Sequence, residues 1–243
     1  MITWSILPFA AFILLCWLEM RLPAKIHATA YSVGDWIMNL SGFFMQGIVV
    51  PFAGYFIAAH VLPNYFPSGQ GILPLGIVGA FLLNVVGVDF LYYLQHRAFH
   101  QIPLLWKMHA PHHYSPVVNI WATSRNALIT HFLFVYMLVN PVLGYLCDAP
   151  EAFFAGAMIT AALDLFRHSN IRVKLPILQG IFVMPKDHHR HHDGKKPFAN
   201  YGANFLVWDR IFNSADLQAE YPHTYSIPIP PRITTQLLFP WKD

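Results

Sequence analysis

Apolar stretches about as long as a bilayer is thick recur along this chain, and they narrow its possible folds more than any other feature. Five stand out: about Ile2 to Met20, Trp36 to Leu62, Ile72 to Leu94, Ala127 to Cys147 and Ala152 to Phe166. Crossing the hydrocarbon takes ~20 residues of helix, and a helix satisfies its own backbone hydrogen bonds there. The first three stretches meet that length. The first has neither the basic start nor the small-residue cleavage site of a signal peptide, so it reads as a span. Ser32 and Asp35 have the spacing of a capping box at the start of the second. The fifth is short and carries Asp164, so the last two read as full spans or as a hairpin that dips in. Composition agrees: the chain is 56% hydrophobic and 11% charged, against roughly 25% charged in soluble domains. The expected fold is all-α, a polytopic membrane helical bundle of about 4–5 membrane segments.

The charges predict its orientation. Arg21 and Lys25 follow the first stretch, and Arg97, Lys107 and Arg125 follow the third. The loop from His60 to Gly71 has no Lys or Arg, and the turn between the last two stretches has only Asp148 and Glu151. From Arg167 onward the chain is basic again. Crossing at each stretch puts all 15 Lys and Arg on one face. By the positive-inside rule that face is cytoplasmic and the N-terminus lies outside. The polar, Pro-rich segment from about Ile171 to Asp243 reads as a cytoplasmic cap, and residues 1–243 as a single membrane domain. Cys16 and Cys147, far apart in apolar stretches, suggest neither a disulfide framework nor a cysteine metal site. No basic run suggests nucleic acid.

Fourteen histidines are the anomaly. Eight fall in three clusters: His96 and His100; His109, His112 and His113; His188, His191 and His192. Spacings of three and four place side chains on one helix face, so each cluster predicts imidazoles aimed at one point. Asp89, Tyr93, His96 and His100 continue a single stripe of the third apolar helix, and Pro103 ends it. His168 follows the fifth stretch, one turn after Asp164. Imidazole suits iron, zinc, copper and nickel. A metal takes about three to six protein ligands, so eight or nine histidines imply two metals, held at one membrane face. His27, His60, His131 and His223 read as structural, and His189 points away from its neighbours.

Absences restrict the chemistry. There is no H-E-x-x-H, and three glutamates with one lone E-x-x-H, Glu220 and His223, cannot build a carboxylate-bridged di-iron bundle. No G-x-G-x-x-G or P-loop marks a nucleotide site, so a redox enzyme of this kind takes its electrons from another protein.

Four segments together resemble the fatty acid hydroxylase/sterol desaturase superfamily. Asp89 to His100 (D-F-L-Y-Y-L-Q-H-R-A-F-H) is similar to its first histidine box, and His109 to Asn119 (H-A-P-H-H-Y-S-P-V-V-N) to its second. Phe166 to Asn170 (F-R-H-S-N) resembles the segment supplying a further histidine. Pro185 to Phe212, with P-x-x-H-x-x-H-H, Asn200-Tyr201-Gly202 and Trp208-Asp209-Arg210-Ile211-Phe212, resembles the closing box. The match covers about residues 85–214, the expected catalytic region. Some members have a histidine where this chain has Asp164, and Asn213-Ser214 stands where Gly-Thr is common. The resemblance implies a non-haem di-iron oxygenase that hydroxylates or desaturates a lipid with O₂. Its two Fe ions would be held by His96, His100, His109, His112, His113, His168, His188, His191 and His192, with zinc a possible substitute. A cytochrome b5-like or ferredoxin-like donor would feed it.

Two other readings compete: a membrane-embedded zinc-dependent lipid hydrolase, and a metal transporter. The second is weakened because transporters place ligands near mid-membrane, whereas these histidines follow span ends. Phe99, Trp106, Trp121, Phe132 and Phe134 are candidate walls for an apolar substrate, with packing as the simpler role. Arg125 and Lys186 are candidates to meet an anionic head group, with ordinary positive-inside charge as the simpler role. Lys195 and Lys196, with Arg190, are candidates to dock an acidic donor, against a plain solvated loop. Asp164 is expected either to ligate metal or to orient His168.

Overall fold

A computed structural model describes the chain except residues 1, 25–29, 196–198, 219, 226, 228–231 and 242–243, and the side chains of 2–5. Six helices form the bundle: α1 (Ile2–Arg21), α2 (Val33–Tyr65), α3 (Gly76–Gln101), α4 (Pro103–His113), α5 (Leu128–Leu146) and α6 (Pro150–His168). Three short helices lie over one end: α7 (Pro185–His191), α8 (Val207–Ile211) and α9 (Ile233–Leu238). The protein is all-α and spans the membrane several times. Among the described residues, α2, α3 and α5 are long and apolar enough to cross.

Three such helices among the described residues are fewer than the expected 4–5 segments, and two stretches account for the difference. The fifth stretch forms α6, which carries Glu151, Asp164 and Arg167 and packs centrally against α1, α3, α5 and α7. The first stretch forms α1, whose opening side chains lie outside the described residues. By contrast α2 exposes Ile37, Leu40, Phe44, Ile48, Phe52 and Phe56. At spacings of three and four these make one apolar stripe facing outward, the reverse of a soluble helix.

Prolines inside the long helices are accommodated locally. Proline lacks an N–H and its ring collides with the carbonyl four residues back. Pro51, Pro63 and Pro141 are each preceded by a wide π-helical turn, at Met45–Val49, Ile57–Val61 and Val135–Val139. Each turn contains the residue whose carbonyl would have clashed.

Loop contacts define two ends of the bundle. At one, the α2–α3 loop meets the α5–α6 turn: Leu73 N donates to Leu146 O (2.8 Å), and Asp148 Oδ1 accepts from Leu75 N (3.1 Å) and Gly76 N (3.0 Å). At the other, α1 is stitched to the end of α6. Glu19 Oε1 accepts from Asn170 N (2.7 Å) and Ile120 N (3.1 Å), and Arg172 N donates to Leu22 O (2.9 Å). The histidines lie at this second end.

Arg125 and Asp89 hold that end together. Ser32 and Asp35 form the expected capping box of α2, and Asp35 Oδ1 also pairs with Arg125 Nη1 at 2.8 Å. The Arg125 side chain, 1% exposed, donates further to Pro111 O on α4 (2.8 Å) and Gln236 Oε1 on α9 (3.2 Å). Gly42 lets α2 approach this loop, since a Cβ there would overlap the Ser124 carbonyl. On α3, the buried Asp89 carboxylate accepts from Asn204 N (2.7 Å) and Trp208 Nε1 (2.8 Å), anchoring the loop around α8 to the bundle.

Candidate metal centre

Each histidine is placed by a helix end. Ile102, extended at φ −99°, breaks the chain between α3 and α4. Pro103 then starts α4 at a position that needs no N–H donor, and α4 folds back on α3. His96 and His100 project from the end of α3, His109, His112 and His113 from α4, and His168 from the last turn of α6. Pro185 starts α7 in the same way, and α7 brings His188, His191 and His192. All nine are buried, none more than 6% exposed.

They converge on two points. His96, His100, His109, His113 and His191 form one group, and His112, His168, His188 and His192 a second. Within each group one ring nitrogen per residue lies within 4.8 Å of all the others. The three sequence clusters do not each aim at one point, as their spacing predicts. The i, i+4 pairs His96/His100 and His109/His113 serve the first group, and His188/His192 the second. His112 and His191 are turned to the other group. The second and third clusters therefore straddle both groups, which adjoin through the His113 and His192 rings, 4.5 Å apart.

The donor set fits metal cations. His112 Nδ1 donates to Arg125 O (2.9 Å), and His168 Nδ1 to Asp164 O (2.9 Å). With both protons committed to Nδ1, the two Nε2 atoms face each other at 3.2 Å as bare lone pairs. A cation placed between them would accept both lone pairs. In the first group, His191 Nδ1 donates to Ala199 O (2.7 Å), and its buried Nε2 has no hydrogen-bond partner among the described residues. Fixing one ring nitrogen to a carbonyl so that the other ligates is how proteins orient metal-binding histidines. Burial also keeps six of the imidazoles neutral: it depresses His109 and His191 to about 3, and lowers His112, His113, His188 and His192. Neither group contains a carboxylate, so bound cations would keep their full charge.

The residues behind the imidazoles were only partly legible as a motif. Asp164 belongs to neither group. Its Oδ1 lies 3.0 Å from His168 Nδ1 and 2.7 Å from Arg167 Nη2, the place of an orienting residue. His96 Nδ1 donates to Tyr201 O (2.8 Å). The loop supplying the Tyr201 and Ala199 carbonyls is pinned by Asp209, which accepts from Tyr201 N and Gly202 N, each at 2.8 Å. Asn200 takes the left-handed conformation, φ 55°, and donates to Asp187 O (2.8 Å) and Asp216 O (2.9 Å). Spacing alone could not have assigned these roles.

The remaining candidates separate clearly. His189 stays out of both groups: its Nδ1 pairs with Tyr225 Oη (2.8 Å) and its Nε2 faces Ser169 O (3.2 Å). His60 packs on Tyr55 and Phe56, and His27 lies outside the described residues. His131 pairs with Gln46 Oε1 (3.1 Å) but also lines a cavity of about 30 Å³ beside His109, His112, His168 and His188, a placement its isolation in the sequence did not signal. Arg125 is consumed by structure. Arg190 is a correction: it is buried and paired with Asp216 (2.9 Å) and Asp193 (3.2 Å), so it offers no docking charge. Lys196 lies outside the described residues.

Comparison with known proteins agrees with this geometry. The family model "Fatty acid hydroxylase" matches residues 81–214. An alkylglycerol monooxygenase from Xenopus tropicalis is 27% identical over 209 residues, covering 84% of this chain and 45% of the relative. Ornithine lipid hydroxylase OlsE from Rhizobium tropici is 32% identical over 164 residues, 64% of this chain and 45% of the relative. Fatty acid hydroxylase vlmA from a Lecanicillium species is 28% identical over 182 residues, 63% of this chain and 48% of the relative. The chain thus spans less than half the length of these curated relatives. No solved structure matches it.

Proposed function

Because the chain belongs to the fatty acid hydroxylase family, we propose that it is a membrane-bound, non-haem di-iron enzyme that uses O₂ to oxidise a C–H bond of a lipid. The observation that carries this reading is the pair of adjoining all-histidine groups with imidazole lone pairs turned on one another. His96, His100, His109, His113 and His191 would hold one iron, and His112, His168, His188 and His192 the other. When bound and reduced, the iron pair supplies O₂ activation and cleavage of an unactivated C–H bond. The chain supplies position and dryness. Backbone carbonyls of Arg125, Asp164, Ala199 and Tyr201 fix four of the rings. Burial excludes water and keeps His109, His112, His113, His188, His191 and His192 in the neutral form that ligates. The relatives named as monooxygenases and hydroxylases favour hydroxylation over desaturation, with a lipid arriving from the bilayer. Electrons would come from a cytochrome b5-like or ferredoxin-like donor.

The topology proposed with this activity has the histidine end and the cap cytoplasmic and the α2–α3 loop outside. Its support is the one-sided Lys and Arg distribution. Reporter fusions at Gly69 and at the C-terminus give opposite signals if it is right, and equal signals exclude it.

The enzymatic reading is tested by metal analysis and O₂ uptake on iron-supplied protein. We expect close to two irons per chain, with hydroxylated lipid formed only when O₂ and a reductant are both present. Zinc with lipid hydrolysis that needs neither would establish the hydrolase instead.

A further inference from the structure

A second, larger cavity lies away from the histidines, and its chemistry is different. It measures about 580 Å³ and opens between the end of α6, the start of α7 and α8. That volume is within the range of small-molecule sites, roughly 300–1,000 Å³. Four cationic side chains line it: Arg172, Lys174, Lys186 and Arg210. None of the four has an ion-pair partner among the described residues. Asp187 also lines it, but this residue is buried and its Oδ2 accepts from Met184 N (3.1 Å). The Arg210 guanidinium lies directly against Gly180, which has φ +83° and where any Cβ would collide with it. A glycine in the left-handed region thus makes room for a cation on the cavity wall.

The rim of the cavity is apolar and outward-facing. The segment between Lys174 and Phe182 exposes Leu175, Ile177, Leu178 and Ile181, with Ile177 88% exposed. Such a patch is costly in water. It begins where Arg172 N bonds Leu22 O, level with the ends of α1 and α6. Met20 and Leu22 at the end of α1 are exposed as well. Apolar side chains at the end of the bundle, next to four cations that outnumber the one carboxylate, Asp187, around a concavity, match an anionic leaflet: acyl chains below, phosphates at the surface. A docking protein fits less well, because a concave, basic pocket rimmed by a protruding isoleucine offers no flat face.

We propose that this cavity binds the head group of an anionic membrane phospholipid, with Arg172, Lys174, Lys186 and Arg210 around the phosphate and the Leu175–Ile181 loop inserted among the acyl chains. The site is distinct from the histidine groups, and it stands or falls without reference to the proposed oxygenase activity. It also seats the start of α7 at the membrane surface through Lys186. Of the two head-group candidates read from the sequence, Arg125 is buried in structural contacts and Lys186 faces this cavity.

The test is lipid binding, not turnover. Full-length protein in a neutral detergent is titrated with fluorescent phosphatidylglycerol and with phosphatidylcholine, and bound lipid is counted by native mass spectrometry. The wild type should prefer phosphatidylglycerol by about tenfold or more, and the preference should shrink as salt is raised. The Arg172→Gln, Lys174→Gln, Arg210→Gln variant should lose the preference while keeping its metal content and monodispersity. If that variant does not fold, the salt dependence and the preference of the wild type still decide. Equal binding of the two lipids by the wild type overturns the proposal. Full displacement of phosphatidylglycerol by equimolar glycerol phosphate or inorganic phosphate overturns it in favour of a soluble phosphate ligand. A triple variant with unchanged lipid preference but slowed reduction by an acidic electron-transfer protein overturns it in favour of a donor-docking surface.

Discussion

The two histidine groups present the same kind of donor but are braced by different parts of the chain. The five-histidine group leans on the cap: Ala199 and Tyr201 present carbonyls to His191 and His96, and Asp209 and Asn200 lock that loop. The four-histidine group leans on the bundle: Arg125 presents a carbonyl to His112, and Asp164 backs His168 from within α6. One group therefore depends on the 199–201 loop of the cap and the other on the 124–125 loop within the bundle together with α6. Lesions behind the ligands should divide along the same line.

The strongest way to break the comparison is to remove ligands from one group only. His188→Ala with His192→Ala should lower iron from about two per chain to about one and abolish oxidation. His96→Ala with His100→Ala should do the same from the other side. Iron analysis with an activity assay checks both. Two irons and full activity in either double variant would exclude separate sites.

Next in size is Arg125→Ala. It leaves Asp35 without its buried partner and removes the guanidinium donors to Pro111 O and Gln236 Oε1. Breaking a buried pair costs about 3–5 kcal/mol, so thermal unfolding should shift down by several degrees or more, with metal lost first from the four-histidine group. Arg125→Lys should recover little, because lysine cannot reach three acceptors in a plane. A melting temperature within a degree of wild type would show that the arginine does not join α2, α4 and α9.

Smaller again are the orienting carboxylates. Asp164→Asn and Asp209→Asn each preserve shape and remove charge. Residues of this kind typically cost about 10–100-fold in metal affinity or activity when lost. Asp164→Asn should weaken iron in the four-histidine group, and Asp209→Asn in the five-histidine group. Spectroscopic iron titration resolves the two, and identical losses from both groups would erase the distinction.

How much of this was legible in the sequence depended on the range of the interaction. The apolar stretches showed the helices because lipid-facing composition is a local property. Eight of the nine histidines stood out as clusters because helical spacing is local too, and His168 was singled out only by the resemblance of Phe166–Asn170 to a family segment. What spacing could not show is the exchange of His112 and His191 between groups, which depends on how α4 and α7 are rotated against α3 and α6. Nor could it show that Arg125 and Arg190 are buried, since Asp35 and Asp216, which pair with them, lie far away in the chain, although Arg190 also has a near partner in Asp193. The charges of α6 were visible from the start. They read as a short or shallow span, whereas in the bundle they support His168 from a central helix.

Acid should affect both groups in the same direction. An unfolded histidine titrates near 6.5, whereas folded His109 and His191 resist protonation until about 3. Between those values the unfolded chain binds more protons, so stability is complete above about 6.5 and declines as pH falls through the window. Protons compete with metal over the same range. Melting temperature and iron content measured from pH 8 to pH 5 should be level at first and then fall together. Stability that rises on acidification would contradict the buried neutral imidazoles.

The smallest effects belong to the histidines outside both groups, and they sharpen where the site ends. His60 is exposed on α2 and its ring packs on Tyr55 and Phe56, so His60→Ala should leave turnover within about twofold, as expected for a surface change. His131 is also outside both groups but is buried against Gln46 beside the four-histidine group. Removing its ring leaves the Gln46 carbonyl without a donor, a loss of about 1–3 kcal/mol. It also enlarges the cavity that His112 and His168 line. His131→Ala should therefore keep both irons, lower thermal stability measurably and reduce turnover by less than any ligand substitution. His131→Gln, which can still donate to Gln46, should recover part of the stability. If His131→Ala and His60→Ala prove indistinguishable in melting temperature and turnover, the boundary of the centre lies at the nine ligands and the cavity beside them is only a packing gap.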